Sequence, residues 1–141
     1  MTEAVPTRPF ATATDTGSGS LQTFVTAGPS TIVADVAVAS GGLDLGPDPH
    51  ELVAAGLAAC TTMTLRLYAN RKGWTISGMH VEVFSHYDKD QTPHERFERV
   101  ITIEGDLTDE QLERLFEIAE KCPIHQLLTQ GARVVTTVGG N

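Results

Sequence analysis

From Leu52 to Ala69 almost every position is apolar or small, and no polar face interrupts the run. Asp48-Pro49 before it is a good helix start, an acidic cap followed by proline. Gly73 after Lys72 is a natural stop. The pattern predicts a helix from about His50 to Lys72, buried on most sides. Ala54, Ala55, Gly56, Ala58 and Ala59 leave room for other backbones to approach. Such a helix suits the centre of a sheet that wraps it, or a place against its own copy in a dimer.

Elsewhere the alternation has the strand period. "SLQTFVTAG" and "TIVADVAVA" predict two strands joined at Gly28-Pro29, and "SGGLDLGPDP" is a loop. "HVEVFSHYD" (80–88) and "FERVITIEG" (97–105) predict an antiparallel pair across a polar loop. Thr108 and Gln111 have capping-box spacing, and Leu112, Leu115, Phe116 and Ala119 form the expected buried stripe of the next helix. A short helix follows from Pro123, with Ile124, Leu127 and Leu128 on its apolar side and Gly131 at its end. "ARVVTTV" (132–138) predicts a last strand. Residues 1–18, rich in Thr, Ser and Gly, are expected to be a flexible N-terminal segment. The order of elements is that of an α+β fold, and residues 1–141 are expected to form a single domain.

Charge narrows the functions. Ten basic against eighteen acidic residues give a net charge of −8. Phosphate backbones and anionic lipid surfaces repel such a chain, and Arg66, Arg71 and Lys72 are too small a cluster to reverse that. No nucleic-acid partner is expected. The apolar run is interrupted by threonines and Arg66, which favours a core helix over a membrane span. The N-terminus lacks the basic start and apolar run of a signal peptide, so a cytoplasmic location is expected. Two cysteines in a reducing compartment do not form a permanent structural disulfide. The five histidines contain no HxxxH or HxH pair, and neither a metal nor a cofactor is expected.

The cysteines are the candidate chemistry. Cys122 precedes the proline that opens the short helix, so it is expected at the N-cap, where the helix dipole favours a thiolate. Packing alone also explains a cysteine there. Cys60 lies inside the apolar helix, with Gly56, Leu57, Met63 and Thr64 on its face. Burial raises a thiol pKa, so the local argument favours Cys122 as the readier thiolate. His125, one turn from Cys122, could tune that thiol or simply pack.

"GPDPHELVAAGLAACTTMTLRLYANRKGW" followed by "CPIHQLL" resembles the family of osmotically inducible protein C and the organic hydroperoxide resistance proteins, in its OsmC-like branch. The resemblance spans about residues 40–138. It implies an OsmC-like fold, with antiparallel sheets packed around a long buried central helix in an intertwined homodimer. It also implies a cysteine peroxidase of oxidative-stress defence that uses neither metal nor flavin. Cys60 would attack an organic hydroperoxide and become a sulfenic acid. Cys122 would resolve it as a Cys60–Cys122 disulfide, and a dithiol such as a lipoyl protein would reduce that bond. The family glutamate follows the helix-opening proline directly; here that position is His50, and Glu51 comes next. Glu51 is a candidate catalytic carboxylate by this resemblance, and a first-turn helix carboxylate by its position. It precedes Cys60 by nine residues, about 13.5 Å along a helix, so the two are not expected to touch within one chain. The family's N-terminal arginine has only Arg8 as a counterpart, about ten residues early. Two other classes stay open: a non-catalytic dimeric module binding a small apolar ligand, and a thiol redox sensor.

Overall fold

The computed structural model describes residues 8–139. They form two compact units, one ending at Val53 and the other beginning at Ala54.

The first unit is a three-stranded antiparallel sheet in chain order: β1 (Ala11–Asp15), β2 (Thr23–Ala27) and β3 (Ser30–Ala34). β1 falls within the segment expected to be flexible, of which residues 1–7 lie outside the described residues. Its sequence, ATATD, alternates nothing larger than alanine with threonine and all five residues are exposed; the ladder to β2 makes the strand. β3 ends earlier than expected because Asp35 turns inward. Its carboxylate is buried and accepts from Gln22 Nε2 and from the backbone N–H groups of Val36, Leu43 and Leu45. Burial pushes this carboxyl up, but the four donors outweigh it and hold the pKa low. The 35–45 loop therefore folds around one acceptor, which replaces the strand expected to continue to Ala39.

Helix α1 (Pro49–Lys72) starts where expected. Asp48 Oδ1 accepts from Glu51 N at 2.7 Å and Glu51 Oε1 accepts from Asp48 N at 3.1 Å, a reciprocal capping box. Gly73, at φ +71°, ends the helix, and Trp74 N donates back to Ala69 O. The helix was expected to be buried on most sides. Within one chain it buries a single stripe: Leu57, Thr61, Leu65 and Ala69, each one turn from the next. Val53, Met63 and Leu67 remain 42%, 70% and 51% exposed.

In the second unit, β4 (Thr75–Tyr87) and β5 (Glu95–Asp106) form a long antiparallel hairpin; β4 starts earlier than the alternation indicated, and β5 is longer at both ends. Helix α2 (Asp109–Ala119) has the expected capping box between Thr108 and Gln111. Leu65 and Ala69 pack with Ile76, Leu115, Ile118 and Ala119 to form the core, ringed by Tyr68, Trp74, Met79 and Ile101. The stripe of α2 is rotated from expectation: Ile118 is buried, whereas Phe116 is 46% exposed. Helix α3 (Pro123–Gln130) runs from Cys122 to Gly131. The strand expected at 132–138 does not form. Among the described residues no strand offers it a ladder, and Val134 and Val135 are 88% and 82% exposed.

Candidate active site

Cys60 sits one position before Thr61 in the buried stripe of α1 and is partly accessible. Cys122, at the start of α3, is fully buried. The fold brings the two free thiols near enough for each to shift the other's pKa. Burial pushes the Cys60 thiol up, but four influences outweigh it: the Cys122 thiol donates to its sulfur, the Ile124 backbone N–H and Thr64 donate as well, and the Arg99 charge adds attraction. The net result is a Cys60 pKa below that of an ordinary thiol. Thr64 Oγ1 lies 3.9 Å from the Cys60 sulfur.

Cys122 moves the other way. Burial and the neighbouring Cys60 sulfur raise its pKa, more than the N–H groups of His125 and Ile124 lower it. Cys122 is the N-cap as expected, its sulfur accepting from His125 N at 3.4 Å. The expectation that it is the readier thiolate is overturned. The N-terminus of α3 does favour a thiolate, but its Ile124 amide acts on Cys60 as well, and burial pushes the Cys122 thiol up.

Arg99 supplies the cation that local sequence reasoning did not find. It lies on β5, on the same face as Phe97 and Ile101. Its Nη1 donates to Thr61 Oγ1 at 3.1 Å, and Nη2 meets His125 Nδ1 at 3.2 Å. His125 Nε2 in turn lies 2.9 Å from Glu120 Oε2. Within the first unit, Arg8 lines a surface cavity with Pro9, Phe10 and Gly28. A cavity of about 290 Å³ opens over Leu57, Phe97, His125 and Leu128, with Pro93, Glu95 and Thr129 completing its lining. Glu51 is committed to the capping box with Asp48, and His50 is exposed. Among the described residues no cluster of His, Cys, Asp and Glu could hold a metal ion. The arrangement offers a thiol of lowered pKa to an electrophile, a second thiol near it, and an apolar cavity joined to the site through His125 and Arg99.

The sequence model of the OsmC-like proteins matches residues 40–137, most of the chain and both cysteine segments. The chain belongs to the OsmC-like protein family. No curated protein sequence matches it. Among solved structures, an OsmC-like protein from Mycoplasma pneumoniae is 19% identical, with a TM-score of 0.71 over 88% of this chain and 89% of that one. A protein from Psychrobacter arcticus 273-4, described as an osmotic stress induced and detoxification response protein, is 21% identical; the TM-score is 0.71 over 86% and 89% of the two chains. An organic hydroperoxide resistance protein from Legionella pneumophila is 24% identical, with a TM-score of 0.61 over 89% and 91%. The OsmC-like fold, α+β with antiparallel sheets and helices, is thereby shown. Arg99 left no signal in the spacing of the OsmC-like motifs. Its only trace was a lone arginine, opposite Val83 in the ladder, interrupting the apolar alternation of Phe97, Ile101 and Ile103.

Proposed function

We propose that this OsmC-like protein is a thiol peroxidase that reduces organic hydroperoxides in defence against oxidative stress. The observation that carries the reading is the Cys60 thiol, its pKa lowered by Cys122, the Ile124 amide and Arg99, with Arg99 bonded to His125 in the wall of an apolar cavity. The Cys60 thiolate attacks a peroxide oxygen, the O–O bond breaks, and the alkoxide takes up a proton to leave as an alcohol. Cys122 then displaces water from the sulfenic acid, forming a Cys60–Cys122 disulfide. A dithiol, of which a lipoyl protein is one chemical type, returns both thiols to the reduced state. Family membership supports a peroxide-stress role. Arg99 weakens the case for a purely ligand-binding module, which rested on a thiol without a cationic partner. Glu51, the N3 residue of α1, caps the helix start with Asp48.

Stopped-flow oxidation tests it. Cumene hydroperoxide is expected to react faster than hydrogen peroxide, because Leu57, Phe97 and Leu128 give an alkyl group apolar surface to occupy. The rate follows the thiolate: the folded-state pKa of Cys60 is lowered, so reactivity rises with pH through a midpoint below the ordinary thiol value of about 8.5 and is then flat. A midpoint at or above that value, or no preference for the organic peroxide, would count against this assignment.

We also propose that the protein works as a homodimer. The apolar faces of α1 that a single chain leaves uncovered, around Met63 and Leu67, support this. Sedimentation equilibrium at micromolar concentration is expected to give twice the 15.1 kDa chain mass. A well-folded monomer would rule the dimer out.

A further inference from the structure

We propose that His125, fixed by Glu120 in one tautomer, is the positioning residue that holds the Arg99 guanidinium against Thr61 and beside Cys60. The tautomer follows from the partners. Arginine has only donors, so Nδ1 of His125 must present its lone pair to Arg99 Nη2, 3.2 Å away. The ring proton then sits on Nε2 and donates to Glu120 Oε2 at 2.9 Å. Arg99 is thus anchored at two points, the Thr61 hydroxyl and the imidazole. A long arginine side chain has many rotamers, and two anchors confine it to one.

The same residue serves both thiols. Its backbone N–H donates to Cys122 Sγ at 3.4 Å, while its side chain steers the cation that acts on Cys60. The imidazole is three-quarters buried, at 24% side-chain exposure, and also lines the apolar cavity. Glu120 is 66% exposed, so its charge is screened and its part is to orient the ring. The "CPIH" segment therefore supplies a thiol, a helix start and the acceptor for a distant arginine within four residues. Without the imidazole, the guanidinium would keep only the Thr61 hydroxyl and would spread into other rotamers.

This inference deepens the peroxidase reading, and for its effect on peroxide rate it rests on that reading; its direct readout does not. The experiment uses the full chain carrying His125→Leu or His125→Asn. Iodoacetamide labelling across pH, with peptide mass spectrometry to separate Cys60 from Cys122, follows the Cys60 thiolate. Cumene hydroperoxide single turnover follows the chemistry, and thermal melting checks the fold. His125→Leu is expected to move the Cys60 labelling midpoint upward and to slow both labelling and single turnover at neutral pH about tenfold, the size of one charge-assisted hydrogen bond. His125→Asn, whose Oδ1 can accept where Nδ1 did, is expected to recover most of that loss. A midpoint unmoved by His125→Leu but raised by Arg99→Gln overturns the positioning role and leaves the peroxidase reading intact. Equal loss in His125→Asn and His125→Leu, with melting unchanged, also overturns it. The expected midpoint shifts with no peroxide reaction faster than free cysteine in any form uphold the positioning role and remove the peroxidase reading.

Discussion

Cys60→Ser is expected to abolish peroxide reduction, leaving only the uncatalysed background, while Cys122→Ser retains a single turnover. A serine hydroxyl stays protonated at neutral pH and is a poor nucleophile toward an O–O bond. The stabilising groups around position 60 cannot offset that. Serine at position 122 keeps an O–H that can donate to the Cys60 sulfur in place of the thiol. Sulfenic acid should therefore still form once, and then persist because no second sulfur displaces it. Single-turnover trapping of sulfenic acid in each variant with an organic hydroperoxide measures this. Sulfenic acid at the wild-type rate in Cys60→Ser would make Cys122 the nucleophile and reverse the assignment. If neither thiol reacts faster than free cysteine, a ligand-binding module becomes the better description.

Arg99→Gln is expected to have the second-largest effect. It removes the positive charge that acts on Cys60 and leaves the Thr61 and His125 anchors to a neutral amide. The thiolate loses one of its supports, so its pKa rises and the fraction ionised at neutral pH falls. Positive charge beside the reacting sulfur also stabilises charge that moves during O–O cleavage. Loss of a preorganised electrostatic donor typically lowers turnover by about 100-fold. Arg99→Lys restores the charge but not the two-point anchoring, and should recover only part of the rate. The readout is the second-order rate constant with cumene hydroperoxide as a function of pH. A rate in Arg99→Gln within twofold or so of wild type at all pH values would show that the thiolate depends on hydrogen bonds alone.

Much of the architecture was legible because it is written in local periodicity. The apolar run with Asp48-Pro49 before it and Gly73 after it located α1 to within a residue. Thr108 and Gln111 marked the start of α2, and Cys122-Pro123 the start of α3. The capping role of Glu51 was equally local, an Asp-x-x-Glu spacing around Pro49, although the family resemblance drew it toward catalysis. Strand β1 and the unpaired 132–138 segment were not legible. A strand is stabilised by its ladder partner, and whether a partner is available is not a property of the segment itself.

The active-site electrostatics divide in the same way. By itself the sequence determined that two thiols lie on helices, one in an apolar stripe and one at an N-cap, because helix period and capping depend on neighbours within a few residues. Only the tertiary structure decided which of them has the lower pKa. That choice depends on Cys122 losing its solvent, on the Ile124 amide reaching the Cys60 sulfur, and on Arg99 arriving from a strand 38 residues beyond Thr61. A thiol pKa is set by every charge, dipole and water within a few ångströms, and chain folding brings those together from positions that share no spacing in the sequence.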